Sequence, residues 1–208
     1  GEMETRSDAP SRGGLVAGFL RSDLSAAEYV RRLEQLGQGH QGSTGRPDGR
    51  SRYNGFNLIM GDADELWYYT NAENVNTPDP AHQQLAVGEV QRLSPGVHVI
   101  SNAVLDTPWP KAERAARMLK DLIQSDRLTP HTLMELLNTS EDAGRQHDPA
   151  LPRETARELA KASIRIQFPR FTTRSSTIVL VDYKNRVRFI EKSYFPFRVN
   201  DFSFSSTV

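Results

Sequence analysis

Two pairs of β-forming runs, each joined by a short polar turn, flank a long block of helix-forming sequence. The first pair covers residues 56–60 and 66–70, and the second covers residues 175–182 and 186–192. Runs rich in β-branched and aromatic residues that are separated by turn residues are typical of antiparallel hairpins. Because helices are grouped between hairpins rather than alternating with single strands, the order favours an α+β fold over a doubly wound parallel sheet.

Helix signals occupy much of the remaining chain. Two short helices are predicted near the beginning, the second opened by a capping box at Ser25 and Glu28. An apolar stripe predicts a helix over residues 109–124, and Thr129 with Pro130 opens another that ends near residue 138. Further strands are predicted at residues 97–100 and 163–168, and residues 139–152 read as a loop.

Two segments stand apart from this pattern. Residues 37–52 are rich in Gly, Gln, Ser and Arg and have no apolar periodicity, so they predict a flexible insertion. Residues 194–208 are interpreted as a tail. We expect the whole chain, residues 1–208, to form a single domain.

Composition excludes several classes of function. None of the 208 residues is cysteine, so the sequence holds no disulfide, thiolate metal site or cysteine nucleophile. The five histidines lack metal-ligand spacing, and we predict no metal site. The 26 basic residues balance the 26 acidic ones, which argues against nucleic acid as a partner. No run is long enough to predict a transmembrane segment.

Three segments carry polar side chains beside buried or turning backbone. They are residues 53–59 (YNGFNLI), 101–109 (SNAVLDTPW) and 173–177 (TRSST), the last followed by VLVD at 179–182. Read one at a time, each has a structural explanation. An Asn-Gly pair suits a turn, Asn102 can satisfy a strand-to-helix turn, and Arg174 can pair with Asp182 or Glu191.

In this order, the three segments resemble the transport and Golgi organization 2 homolog family, also called the NRDE-motif family. The resemblance covers nearly the whole chain except the predicted insertion and tail. It implies a four-layer αββα sandwich similar to that of the N-terminal-nucleophile hydrolases. The family's Asn-Arg-Asp-Glu motif and Met-Cys start do not occur in this sequence. We therefore expect a fold that is incomplete at the amino terminus.

The same resemblance assigns roles to particular residues. Asn102 is similar to an amide that helps to hold the oxyanion in the related hydrolases, and Arg174 is similar to an arginine that supports the nucleophile. Both would act only in support, because a cysteine nucleophile and its activating base are absent from the chain. Asn54, Asn57, Trp109 and Arg174 are predicted binding residues. Whether the chain is an enzyme is left open by these residues.

The function implied by the resemblance is a role in Golgi organization and protein secretion, with links to mitochondria, lipid metabolism and haem mobilisation. We hypothesise that a cleft between two sheets, lined by cations such as Arg165, Arg170 and Arg174, holds a small amphipathic ligand, either haem or acyl-CoA. Haem would be cargo, and no cofactor is required. The alternative is an N-terminal-cysteine amidohydrolase or acyl-transfer enzyme in the full-length protein. The expected location is the cytoplasm, in association with the Golgi or mitochondria, and we expect self-association through an unpaired sheet edge.

Overall fold

The computed structural model describes residues 7–38, 53–62, 64–71, 90–101, 103–146, 150–169 and 171–205. Within these ranges there are helices and small antiparallel sheets, so the predicted α+β class is confirmed. The helices are α1 (Gly13–Leu20), α2 (Ala26–Gln38), α3 (Pro110–Gln124), α4 (Pro130–Leu137), α5 (Ala143–Gln146) and α6 (Arg153–Ala162). The strands are β1 (Asn57–Gly61), β2 (Leu66–Thr70), β3 (Val90–Arg92), β4 (Gln167–Phe168), β5 (Phe171–Thr172), β6 (Ser175–Val181), β7 (Arg186–Tyr194) and β8 (Phe197–Ser205).

The chain divides into two compact units. Unit 1 consists of Gly1–Gly96 and Ile100–Thr107, and unit 2 consists of Val97–Val99 and Pro108–Val208. The prediction that residues 1–208 form one domain stays a prediction. So does the four-layer arrangement that the resemblance implies.

Unit 1 is built around the three-stranded sheet β1-β2-β3, with α2 packed on it. The capping box that opens α2 is confirmed, because Ser25 N donates to Glu28 Oε2 at 2.9 Å and Glu28 N donates to Ser25 Oγ at 3.3 Å. One turn further on, Val30 is fully buried against Met60 and Tyr69 of the sheet. Burying one such aliphatic side chain contributes about 1.5–3 kcal/mol, so the helix is held mainly by this face.

The two faces of the unit 1 sheet differ in chemistry. Met60 and Tyr69 lie on the face covered by α2. Because successive side chains of a strand point to opposite faces, Tyr68 and Thr70 lie on the other one, and both are almost completely buried. Asn57 pairs with Thr70 and therefore shares this second face, which we call the polar face. Its buried side chains carry groups that must find hydrogen-bond partners.

Unit 2 contains α3 to α6 and the three-stranded sheet β6-β7-β8. The predicted start of α4 is confirmed: Thr132 N donates to Thr129 Oγ1 at 3.2 Å, and Pro130 occupies the first turn. The second predicted hairpin is also confirmed, with Ile178 opposite Ile190 in β6 and β7. Asp182 closes its turn by accepting bonds from the backbone N–H groups of Lys184 and Arg186.

A buried glutamine organises the loop that precedes α6. Gln146 is fully buried, and its Nε2 lies 2.8 Å from Ser163 Oγ and 2.7 Å from Glu141 O. Its Oε1 accepts a bond from Gln167 N at 2.8 Å. One side chain thus joins segments that are distant in sequence, and it does so with its amide groups satisfied.

Several sequence predictions need correction. Residues 97–100 are not a strand, and the strand of this region lies earlier, at Val90–Arg92, where β2 provides a pairing partner. Of residues 163–168 only Gln167–Phe168 is extended and paired. The helix Arg153–Ala162 was not predicted, although its polar and apolar residues lie on opposite sides; it has few apolar residues, and none of its residues is buried. Alternating apolar residues indicate a strand, but a strand forms only where a neighbouring strand is available to pair with it.

The predicted insertion and tail also differ from the structure. Helix α2 continues to Gln38, so residues 37 and 38 belong to it. A glycine near the end of a helix costs only about 1 kcal/mol. Residues 39–52 lie outside the described residues. Most of the predicted tail is strand β8, which pairs with β7 along its whole length from Phe197 to Ser205. This strand was not predicted from the sequence, because almost all of its side chains are exposed.

Candidate functional site

The polar face of the unit 1 sheet holds the segment that follows Asn102. The hydroxyl of Tyr68 donates to Asn57 Oδ1 at 2.7 Å and accepts a bond from Leu105 N at 3.1 Å. Asn57 Nδ2 donates to Ala103 O at 2.9 Å. We call Asn57 and Tyr68 the Asn–Tyr clamp. Together they fix the backbone of residues 103 and 105.

The protonation of Tyr68 suits this double role. A tyrosine hydroxyl is protonated at neutral pH and can both donate and accept, and burial raises the pKa of this one further above its ordinary value of 10.0. Gln91 is paired with Tyr68 and lies on the same face. In the described part of the chain its buried Oε1 has no hydrogen-bond partner. The polar face therefore offers one acceptor beyond those that the clamp uses.

The asparagines predicted to bind a ligand in unit 1 are held by the fold. The side-chain oxygen and one side-chain N–H of Asn57 are bonded within the clamp, so this residue positions backbone. Asn54 is half-buried in the turn before β1. That turn is closed by Asn71, whose Oδ1 accepts from Phe56 N at 2.8 Å and whose Nδ2 donates to Tyr53 O at 3.2 Å. Asn102 lies outside the described residues, and its role in holding an oxyanion stays a prediction.

A second group of charged and aromatic residues lies around Tyr194 in unit 2. The guanidinium carbon of Arg165 lies 3.9 Å from the centre of the Tyr194 ring, and Lys192 Nζ lies 5.6 Å from it. The backbone of Arg174 is adjacent, because Tyr194 N donates to Arg174 O at 2.8 Å. Lys192 Nζ also lies 5.9 Å from the ring of Phe197. We call these five residues the cation–aromatic cluster.

The cluster has a firm base and an exposed rim. The Tyr194 hydroxyl lies 3.0 Å from Ser176 Oγ in a buried hydrogen bond, and Arg165 Nη1 donates to Asn138 Oδ1 at 2.6 Å. Phe197, by contrast, is 71% exposed. Cations that stack on aromatic rings within about 6 Å gain about 0.5–2 kcal/mol from the ring quadrupole. The ring therefore holds the cations near an apolar surface that faces solvent.

The charges of the cluster differ from those elsewhere on the same sheet. Arg186 pairs with Asp182 at 2.6 Å, and Arg188 pairs with Asp201 at 2.8 Å. Among the described residues, no carboxylate pairs with the cluster's three cations, Arg165, Arg174 and Lys192.

These contacts settle one alternative for Arg174. Its proposed pairing with Asp182 is wrong, because Arg186 holds that carboxylate, and Arg186 lowers the pKa of Asp182 mainly through their side-chain hydrogen bond. Arg174 thus lies in a patch of positive charge whose balancing anions are not described protein groups.

Trp109 lies at the start of α3 in unit 2. It is the residue before Pro110, its backbone is extended, and its side chain makes no cap hydrogen bond to the helix. Within the described ranges its buried Nε1 has no acceptor. Burial also lowers the pKa of the neighbouring Lys111, which is itself half-buried. Trp109 and Arg174 therefore belong to unit 2, whereas Asn54 and Asn57 belong to unit 1.

Sequence reasoning missed Tyr68, Lys192 and Tyr194. Tyr68 was assigned to a strand but not to a face, although its spacing from Thr70 places both on one face. Tyr194 fell in the predicted tail. Across the part of the chain that is described, no group of three or more metal-ligating side chains is found. Nor, in those ranges, does any helix have the length and apolar character needed to cross a membrane.

A profile of the family described as Transport and Golgi organisation 2 matches residues 2–196. The chain belongs to this family. The Transport and Golgi organization protein 2 homolog of Bos taurus is 31% identical over 199 residues, covering 89% of this chain and 63% of the relative. The homologue of Homo sapiens is 30% identical over 200 residues, covering 89% and 62%. The chain thus spans about 63% of the length of the family members that it matches.

Proposed function

We propose that this chain serves Golgi organization and protein secretion by binding a small amphipathic anion at the cation–aromatic cluster. The observation that carries the proposal is the pair of cations, Arg165 and Lys192, near the Tyr194 ring, with the backbone of Arg174 beside it; no described carboxylate pairs with any of the three. The names of the family relatives support the cellular half of the proposal. The expected place of action is the cytoplasm, at the Golgi or mitochondria.

The chemistry of the cluster suits a ligand with an anionic head and an apolar body. A carboxylate or phosphate can accept charge-assisted hydrogen bonds from Arg174 and Lys192, each worth about 1.5–3 kcal/mol. Phe197 and Val199 lie on the same face of the sheet as Lys192, and both are more than half exposed, at 71% and 54%. An acyl chain or a tetrapyrrole could cover them. Acyl-CoA and haem, the ligands implied by the resemblance, both fit this description.

The binding test uses the 208-residue chain with palmitoyl-CoA and haem as separate ligands. Titration calorimetry measures the first, and the Soret band measures the second. Removing one charged contact costs about 1.4 kcal/mol or more, so Lys192→Gln and Arg174→Gln should each weaken binding about tenfold. Lys184→Gln is the matched control, because Lys184 lies in the β6–β7 turn of the same sheet.

The outcomes separate the parts of the proposal. Binding of palmitoyl-CoA but not of free CoA would confirm that the apolar surface contributes. If neither ligand binds, or if Lys184→Gln weakens binding as much as Lys192→Gln, the site is wrong. The cellular half is tested in cells that lack the family protein, where a fluorescent fusion reports location. There the wild-type full-length protein should restore Golgi morphology, and the variant with both cluster substitutions should not.

A second candidate is an N-terminal-cysteine amidohydrolase or acyl-transfer activity in the full-length protein. It is favoured by the Asn–Tyr clamp, which fixes the backbone of residues 103 and 105, one and three positions after Asn102 in the sequence. It also requires the four-layer αββα sandwich, which an experimental structure of the full-length protein would test. In that protein, thiol-dependent hydrolysis of an amide substrate should be abolished by Asn102→Ala. An unchanged rate, or no hydrolysis at all, would contradict it.

A further inference from the structure

Strand β8 ends the unit 2 sheet with an open edge. Its nine residues all pair with β7, and within the described residues no strand pairs with its other side. Eight of its nine residues are exposed. An edge of this length exposes a row of backbone donors and acceptors, which most proteins block with charged side chains, proline, a bulge or a covering element. β8 contains neither lysine nor proline; its charged residues are Arg198 and Asp201, and Asp201 is paired with Arg188.

The hydrogen bonds of the sheet identify the groups on that edge. Tyr194 N donates to Arg174 O, and Asp182 N donates to Arg186 O, so the even-numbered residues of β7 direct their backbone groups toward β6. Since this direction alternates along a strand, the odd-numbered residues of β7 bond to β8, as Ser193 does to Arg198. The odd-numbered residues of β8 therefore direct their N–H and C=O groups outward: Phe197, Val199, Asp201, Ser203 and Ser205.

We propose that this edge pairs antiparallel with the same edge of a second copy of the chain. The two copies would be related by a two-fold axis perpendicular to the sheet, so the same face of the sheet points the same way in both copies. An odd-numbered residue of one β8 therefore lies opposite an odd-numbered residue of the other. Full overlap places Val199 opposite Ser203 and Asp201 opposite the Asp201 of the second copy. All of these are outward-facing residues, so each can both donate and accept across the new ladder. The result is a continuous six-stranded sheet.

The charges of β8 are compatible with this pairing. Like charges directly opposite each other on neighbouring strands are destabilising. Here each Asp201 is already gripped by Arg188, whose Nε donates to Oδ1 at 3.1 Å and whose Nη2 donates to Oδ2 at 2.8 Å. Each Asp201 carboxylate is therefore already neutralised by Arg188 of its own chain, which reduces the repulsion between the two carboxylates.

The opposite edge of the sheet is a weaker candidate. Strand β6 is shorter, with seven residues, and it buries Ser176 and Ile178. α4 packs against it. β8 has β7 as its main neighbour and is the longer and more exposed of the two edges. Self-association should therefore use β8.

The test compares the mass in solution of the 208-residue chain with that of edge variants, by light scattering across a dilution series. The wild type should approach twice the monomer mass at high concentration. Ser203→Pro removes an outward N–H without removing a bond to β7, because proline is tolerated on an edge strand in that orientation. It should give the monomer mass. Ser203→Ala, which keeps the N–H, should behave as the wild type does.

A second measurement does not depend on the folding of a variant. In the wild type, the amides of Val199, Asp201 and Ser203 should exchange with solvent more slowly at high concentration than at low concentration. The amides of Arg198 and Asn200 should be protected at both. A monomer mass at every concentration, or exchange that is independent of concentration, would overturn the proposal.

The exposed face of the same sheet supplies a further control. Val179, Val181, Phe202 and Phe204 are all more than half exposed on one face. If Phe204→Ser gives a monomer and Ser203→Pro does not, the copies meet face to face and edge pairing is wrong. Because the proposal concerns the edge, Lys192→Gln should leave the mass unchanged, and failure of ligand binding does not bear on it.

Discussion

Replacing Tyr68 by phenylalanine should destabilise the protein far more than the loss of one oxygen suggests. The substitution keeps the buried ring but leaves Asn57 Oδ1 and Leu105 N without the partner that each has at 2.7 Å and 3.1 Å. A buried polar group left unpaired costs about 1–3 kcal/mol. For two such groups with partial relaxation, we expect a loss of about 2–4 kcal/mol in the free energy of unfolding.

Urea unfolding followed by circular dichroism measures this loss. With a slope of about 2 kcal/mol per molar urea, the midpoint should fall by about 1–2 M. The control is Tyr183→Phe, because Tyr183 is 93% exposed and its hydroxyl faces water. That control should change stability by less than about 0.5 kcal/mol. If Tyr68→Phe also falls within this limit, the clamp is not a buried hydrogen-bond network and the reasoning is refuted.

The same residue predicts how stability depends on alkaline pH. Burial raises the pKa of Tyr68 above its ordinary 10.0, and burial likewise raises the pKa of Tyr29 and of Tyr69. Between the unfolded and folded pKa values the folded state holds more protons, so stability is complete below about pH 10 and falls as the pH rises above it. The free energy of unfolding should be lower at about pH 10.5 than at about pH 8, and this difference should be smaller in Tyr68→Phe than in the wild type. Equal differences would contradict the assignment of the shift to Tyr68.

Two further predictions concern packing away from the sites. Gln146→Ala removes a fully buried amide that serves several segments and should cost about 2–4 kcal/mol by urea unfolding, whereas the exposed Gln124→Ala should cost less than about 0.5. Gly61→Ala places a methyl group against the backbone oxygen of Glu65 in the first hairpin and should lower the thermal midpoint. Gly14→Ala is the control: its methyl group meets open space within α1, and the substitution should raise stability by about 0.5–1 kcal/mol. If both substitutions change the thermal midpoint by a similar amount and in the same direction, the predicted clash at Gly61 is wrong.

The candidate sites divide between what local sequence could predict and what it could not. Asn57 and Arg174 were singled out from motifs, and the structure places each in a polar group with defined neighbours. The residues that contact them could not be predicted from the sequence. Tyr68 meets a backbone group 37 positions away, and Arg165 meets Tyr194 through a ring contact between separate strands and loops. No periodicity within a window of a few residues encodes such distances.

The sequence by itself determined the local structure and the family. The capping boxes at Ser25 and Thr129 and the turn at Asp182 depend on residues within four positions of each other, so their chemistry could be read directly. The order of three short motifs was enough to identify the family. Only the tertiary structure decided that β3 and β8 are strands, that Gln146 joins distant segments, and that Arg165 and Lys192 lie near the ring of one tyrosine. The reason is physical: a hydrogen bond or ring contact between distant residues exists only once the chain has brought them together, and many sequences satisfy the same local rules without doing so.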